Sequence, residues 1–236
     1  TDPAEVVRIK RGDIFLKTIH HFSMAAALLC LLAGCSKTTS GVGGTSGDAM
    51  PTTVESNAQF AKELSLDDPQ DFEDAKRGFI AKPTGKILGA DGAVLKDFDA
   101  YAFLDGKAPN TVNPSLWRHA QLNAQVGLYK VMDGVYQLRG FDIANLTLIE
   151  GKSGWIVVDP LTTKESARFA MEFAEKHLGK KPVTGMVITH AHADHFGGSL
   201  GVLTQQEVEQ RKIPVVAPAG FIEEGTSENI MAGTGM

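Results

Sequence analysis

Three of the seven histidines in this chain and one carboxylate fall within six positions, His190-Ala191-His192-Ala193-Asp194-His195. No other feature restricts the fold as strongly, because imidazoles and a carboxylate crowded this closely serve as ligands for Zn²⁺, Fe or Mn. The preceding run, Pro182-Val183-Thr184-Gly185-Met186-Val187-Ile188-Thr189, is short and apolar, and its Val and Ile residues suit a buried strand. The cluster therefore sits at a strand end. If the chain leaves that strand still extended, residues two apart point to the same side, so that His190, His192 and Asp194 converge while His195 turns away. One loop with this many nitrogen and oxygen donors exceeds what a single tetrahedral ion uses once other ligands arrive, so two metals are expected. The competing reading is a His-rich turn in which Asp194 caps a helix.

Upstream, Thr162-Thr163-Lys164-Glu165 has the Ser/Thr-x-x-Glu form of a capping box, and Phe169, Ala170, Phe173, Ala174 and Leu178 recur at helical spacing until Gly179. Before this helix lie two apolar strands, Ala144-Asn145-Leu146-Thr147-Leu148-Ile149-Glu150 and Trp155-Ile156-Val157-Val158-Asp159-Pro160, joined by Gly151-Lys152-Ser153-Gly154. The pattern is a hairpin followed by β–α–β. Ligands of open α/β sheets bind outside the carboxyl ends of the strands, which brings Asp159 to the histidines. Asp159 then has two readings, a carboxylate that orients a ligand histidine or one that caps its own turn before Pro160. Nearer the start, Phe72, Ala75 and Phe79 fit one helix face. Asn113 and Pro114 supply the N-cap and first-turn proline of a helix carrying Leu116, Ala120 and Ala124. Both helices are expected to wrap the sheet. Trp117 and His119 read as packing and surface residues, and His177 suits a helix C-terminus.

The first residues carry an export pattern. Arg8, Lys10, Arg11 and Lys17 precede the apolar run Met24 to Leu32, which is too short to span a bilayer as a stable helix. The run closes on Leu32-Ala33-Gly34-Cys35, similar to the lipobox of bacterial lipoproteins, with Cys35 as the acylated residue and Ser36 resembling an outer-membrane destination. Residues 1–35 thus read as a lipoprotein-type signal, residues 36–56 as a Ser/Thr/Gly-rich flexible tether and residues 57–236 as the folded part, placed in the periplasm by a lipid anchor. Of the two cysteines, Cys35 alone would survive cleavage, so packing and not a disulfide must hold the fold. A net charge of −5 without basic stripes argues against nucleic acid, and 43% apolar residues suffice for a core.

Several longer motifs join the ligand loop: Asp71 to Ala81, Val112 to Arg118, Arg139-Gly140-Phe141-Asp142, and Phe221 through Ser227-Glu228-Asn229 to Gly233. With them the chain resembles the alkyl sulfatases of the metallo-β-lactamase superfamily from about Asp67 onward. The resemblance implies an α/β fold, the N-terminal half of a metallo-β-lactamase-like αββα sandwich. It also implies two zinc ions, with His190 and His192 on one and Asp194 and His195 on the other, and metal-bound water as the nucleophile with no further catalytic side chain. The substrate implied is a linear primary alkyl sulfate ester, attacked at carbon, and a homodimer of the intact protein is left open. Arg139, Asn145, Ser227, Glu228 and Asn229 are candidates for lining the site, although a strand end, a hairpin amide and a helix start with Ser227 as cap explain them too. No histidine follows His195. The later ligands of such a site are therefore expected beyond Met236, and the chain reads as the front part of a longer protein, inactive alone. Alternatives are another hydrolase of the superfamily, such as a lactonase, thioesterase or β-lactamase, or a non-catalytic, metal-binding lipoprotein fragment.

Overall fold

A computed structural model describes residues 48–231. The signal, Cys35 and most of the expected tether lie outside the described residues, while residues 51–56 form the first turns of a helix instead of extended tether. In chain order the elements are α1 (Pro51–Glu63), α2 (Gln70–Lys76), β1 (Phe79–Ala81), β2 (Lys86–Leu88), β3 (Val94–Asp97), a 3₁₀ turn (Ala102–Leu104), α3 (Pro114–Asn123), β4 (Gly127–Met132), β5 (Val135–Arg139), β6 (Leu146–Glu150) and β7 (Trp155–Val158). Then follow α4 (Lys164–Leu178), β8 (Val183–Val187), α5 (Ala193–Phe196), α6 (Ser199–Val202), α7 (Gln205–Arg211), β9 (Val215–Val216) and α8 (Phe221–Met231). Among the described residues no helix is long and apolar enough to cross a membrane.

Seven strands form one mixed sheet in the order β1-β4-β5-β6-β7-β8-β9, and β2 pairs with β3 separately. The expected hairpin is β6–β7, antiparallel with Leu148 opposite Val157, and the expected β–α–β is β7–α4–β8, parallel with Val158 opposite Val187. This is an α/β fold. Leu146, Leu148, Val157, Leu128 and Leu138 are completely buried, each contributing about 1.5–3 kcal/mol of transfer free energy. Along α4, Ala167, Ala170, Met171 and Ala174 recur at i, i+3, i+4 and i+7 and form its buried stripe. Phe141 meets Phe169 and Phe173 at ring distances of 6.0 and 5.5 Å, which joins the start of the β5–β6 connection to α4.

Three local expectations change. The cap of α4 is Thr163, not Thr162: its hydroxyl accepts from Ser166 N, while Thr162 donates its N–H and hydroxyl to Asp142. Phe79 does not extend α2, because Gly78 at φ +73° ends the turn and the chain enters β1. A side chain at Gly78 would also meet Lys130 O at 2.0 Å. Finally, α3 has the expected Asn113 cap but packs against α1, α2 and the 3₁₀ turn, with Arg118 donating to Leu66 O and pairing with Asp71.

Candidate metal centre

The β7 and β8 strands run parallel, so their carboxyl ends deliver Asp159 and Thr189 side by side. Asp159 N donates to Val187 O at 3.0 Å, and Thr189 N donates to the Asp159 carboxylate at 2.8 Å. The turn after β7 is strained, with Asp159 at φ 54° and Leu161 at φ 67°. Packing holds it in place. Gly198 N donates to Leu161 O, and a Cβ at Gly197 would stand 2.2 Å from Thr162 O and one at Gly198 2.0 Å from Pro160 O. Only glycine lets the segment after His195 lie this close to the strained turn. From the other side Asp142 accepts from Thr162 N at 3.1 Å and Thr162 Oγ1 at 3.0 Å.

The three histidine rings gather on this platform, with His190 4.5 Å from His192 and 4.0 Å from His195. The expectation that His195 turns away is therefore corrected. Strand β8 ends at Val187, the chain bends at His190 and Ala191, and α5 begins at Ala193, which brings His195 back to His190. Asp194 Oδ2 lies 3.3 Å from His195 Nε2.

Proton bookkeeping assigns the rings. Asp159, 8% exposed, is an acceptor, so His195 Nδ1–H donates to its Oδ2 at 2.8 Å. Thr189 Oγ1 spends its own proton on the same carboxylate at 2.7 Å, so at 2.9 Å it accepts from His190 Nδ1–H. Asp159 thus holds one histidine directly and a second through Thr189. The lone pairs left over are Nε2 of His190 and Nε2 of His195. Each bond to the carboxylate is charge-assisted and contributes roughly 1.5–3 kcal/mol. Thr189 was not singled out in the sequence, although a hydroxyl between a strand end and the first histidine is a readable signal. Asp142 had no local signal, since its partner is twenty residues away.

The remaining candidates divide. Glu228 Oε1 reaches His192 Nε2 at 3.1 Å. Arg139 is engaged elsewhere: Nε donates to Gln137 Oε1 at 2.7 Å and the guanidinium lies 4.4 Å over the Tyr129 ring. With Asn145 and Asp142 it lines a cleft of about 600 Å³. Ser227 is inside α8 and not at its start, facing Ile222 and Ile230 in a separate surface depression, and the Asn229 side chain lies outside the described residues. His119 is exposed, and Trp117 donates to Gly106 O and packs on Phe103.

Chemically the donor set of three imidazoles and a carboxylate fits a borderline divalent cation. In the present conformation no group of three or more His, Cys, Asp or Glu side chains among the described residues is disposed to hold an ion.

Residues 139–233 match the model of the metallo-beta-lactamase superfamily. The chain is 45% identical over 231 residues to an (R)-specific secondary-alkylsulfatase from Pseudomonas sp, covering 98% of this chain and 33% of the relative. Residues 139–233 thus carry a metallo-β-lactamase domain. A linear primary-alkylsulfatase from Pseudomonas sp is 43% identical over 195 residues, or 81% of this chain and 29% of the relative. The solved structure of a stereoselective inverting sec-alkylsulfatase from Pseudomonas sp superposes with a TM-score of 0.76 at 49% identity, covering 80% of this chain and 30% of that one. The chain therefore spans about a third of the length of the curated relatives it matches.

Proposed function

We propose that this chain supplies the first ligand loop of a metal-dependent hydrolase that cleaves alkyl sulfate esters to sulfate and an alcohol. The observation that carries the reading is the set of three histidine rings within 4.0–4.5 Å, two of them oriented by Asp159, in a chain 45% identical to a secondary-alkylsulfatase. Two zinc ions are the proposed cofactors, held with the help of His190, His192, Asp194 and His195. Bound there, they would supply the acidified water and the Lewis acidity that sulfate-ester cleavage needs. The residues of this chain orient: Asp159 and Thr189 hold His190 and His195 with Nε2 free, and Asp194 stands beside the latter. The seven-stranded sheet is read as the first half of an αββα sandwich. The order of basic, apolar and small residues before Cys35 supports a lipid anchor in the periplasm, which loss of labelled-lipid incorporation in Cys35→Ala would check.

The solved relative is called inverting. Inversion at a carbon centre requires its C–O bond to break: the water oxygen bonds to carbon, a water proton passes to a base, and sulfate leaves with the bonding pair. In oxygen-18 water the full-length protein should therefore label the alcohol released from dodecyl sulfate or a secondary alkyl sulfate, and leave the sulfate unlabelled. A chelator, His192→Ala and Asp194→Ala should each remove activity, and His119→Ala should be silent. Turnover of a lactone, thioester or β-lactam with no sulfate released would move the chain to another hydrolase of the superfamily.

A further inference from the structure

Helix α8 touches the histidine loop at three points. The Phe221 ring packs edge-on against Phe196 at 5.1 Å, Gly225 lies against Ala191, where a Cβ would stand 3.6 Å from the carbonyl oxygen, and Glu228 Oε1 is 3.1 Å from His192 Nε2. These residues are i, i+4 and i+7, one face of the helix. The Phe221 and Gly225 contacts set the height of α8 over the loop, so Glu228 reaches His192 from a fixed base.

His192 needs such a partner more than its neighbours do. His190 and His195 are oriented through Asp159, a buried residue, whereas the His192 side chain is 57% exposed and follows an alanine with no hydrogen-bonding side chain. A neutral imidazole carries one N–H, and a carboxylate accepts. Glu228 therefore draws the proton of His192 to Nε2 and leaves the lone pair on Nδ1, the reverse of the other two rings. We propose that Glu228 is a positioning residue for the metal site: by accepting from His192 Nε2–H it selects Nδ1 as the ligating nitrogen of that histidine and ties metal binding to the docking of α8. The inference rests on the reading that His192 holds metal. A carboxylate behind a ligand histidine raises its basicity and fixes its plane, and removing such partners costs 10–100-fold in metal affinity.

The test uses the full chain labelled with nitrogen-15 on its imidazoles, with ring tautomers read from long-range proton–nitrogen correlations at mildly alkaline pH. His192 should be the Nε2–H tautomer in the wild type, and His190 and His195 the Nδ1–H tautomer. Glu228→Ala should move His192 toward a mixture and weaken zinc binding about 10-fold or more, measured in competition with a chelator. Glu228→Gln keeps an acceptor oxygen and should restore the tautomer and most of the affinity. The His195 Nδ1–H signal, held by Asp159, should be unchanged in both variants and reports that the platform is folded. An Nδ1–H tautomer for His192 in the wild type, or the same tautomer and zinc affinity in Glu228→Ala, would overturn the proposal. If zinc shifts no histidine nitrogen in the wild type, the metal reading fails, and the tautomer comparison still decides what Glu228 does.

Discussion

Asp159 concentrates the chemistry of the site on one carboxylate. It accepts from Thr189 N, Thr189 Oγ1 and His195 Nδ1, and it does so from a left-handed backbone conformation at φ 54° that Asp tolerates better than most residues. Replacing it separates two costs. Asp159→Gly relieves the backbone but leaves three donors without their acceptor, whereas Asp159→Ala loses the acceptor and keeps the strain. Leaving such groups unpaired costs roughly 1–3 kcal/mol, and an L residue with no local hydrogen bond in this region adds about 1–2 kcal/mol. Urea unfolding should therefore rank wild type above Asp159→Gly and Asp159→Ala lowest. If the two variants unfold at the same midpoint, backbone strain is not part of what the carboxylate offsets. Asp159 also shows why sequence reading stopped at two alternatives. A carboxylate before proline at a strand end is compatible with a local cap, and its partners Thr189 and His195 lie thirty and thirty-six residues on, beyond the reach of local pattern.

Helix ends show the same division between local and distant causes. The Thr204/Glu207 box at the start of α7 is complete: Thr204 Oγ1 accepts from Glu207 N at 3.2 Å, and the Glu207 carboxylate accepts from Thr204 N at 2.9 Å and Thr204 Oγ1 at 2.8 Å. The Thr204 N–H, and then its hydroxyl, hold the Glu207 carboxyl below its ordinary value of 4.5. A depressed carboxyl pKa stabilises the fold above the unfolded value and loses that contribution as pH falls through the folded one. The stability gap between wild type and Glu207→Gln should thus be open at pH 7 and narrow as the pH falls below the ordinary carboxyl value of 4.5. Thr204→Ala should cost about 1 kcal/mol by denaturant unfolding at neutral pH. A gap that persists unchanged at pH 3 would remove the carboxylate from this account. The Thr162 box, equally well formed as a sequence, is not built. Asp142 takes both donors of Thr162 and the helix starts one residue later, at Thr163. Periodicity located the β6–β7 hairpin, α4 and β8, because each buries one apolar stripe or face. The run through Phe72, Ala75 and Phe79 misled because Gly78 ends the helix and Phe79 packs edge-on against Tyr129 across β1 and β4. The swing of His195 toward His190 was illegible for a related reason. Alternation holds only while the chain is extended, and α5 begins inside the motif.

The sheet as a whole is asymmetric. Its antiparallel half, β1 to β7, ends against short β1, while its parallel half ends at β9, which among the described residues pairs with β8 alone. Parallel strands are ordinarily covered on both faces and have neighbours on both sides. Here Val215 and Val216 are 50% and 55% exposed at that edge, in a two-residue strand between Pro214 and Ala217-Pro218. Val216 is bound to β8 through its backbone, so Val215 alone turns its backbone groups outward as a template for another strand, and the exposed Ile222, Ile230 and Met231 of α8 follow in the chain. The 236-residue polypeptide should therefore self-associate through β9. Val216→Lys places a charge on that edge while leaving the bonds of Ile188 N to Val216 O and of Met186 N to Pro214 O in place. It should raise the concentration at which light scattering first detects oligomers by several-fold, with little change in unfolding midpoint. The paired control is Ile230→Lys on α8. If that variant, and not Val216→Lys, prevents association, the contact belongs to the helix and the open edge of the sheet is not what drives it.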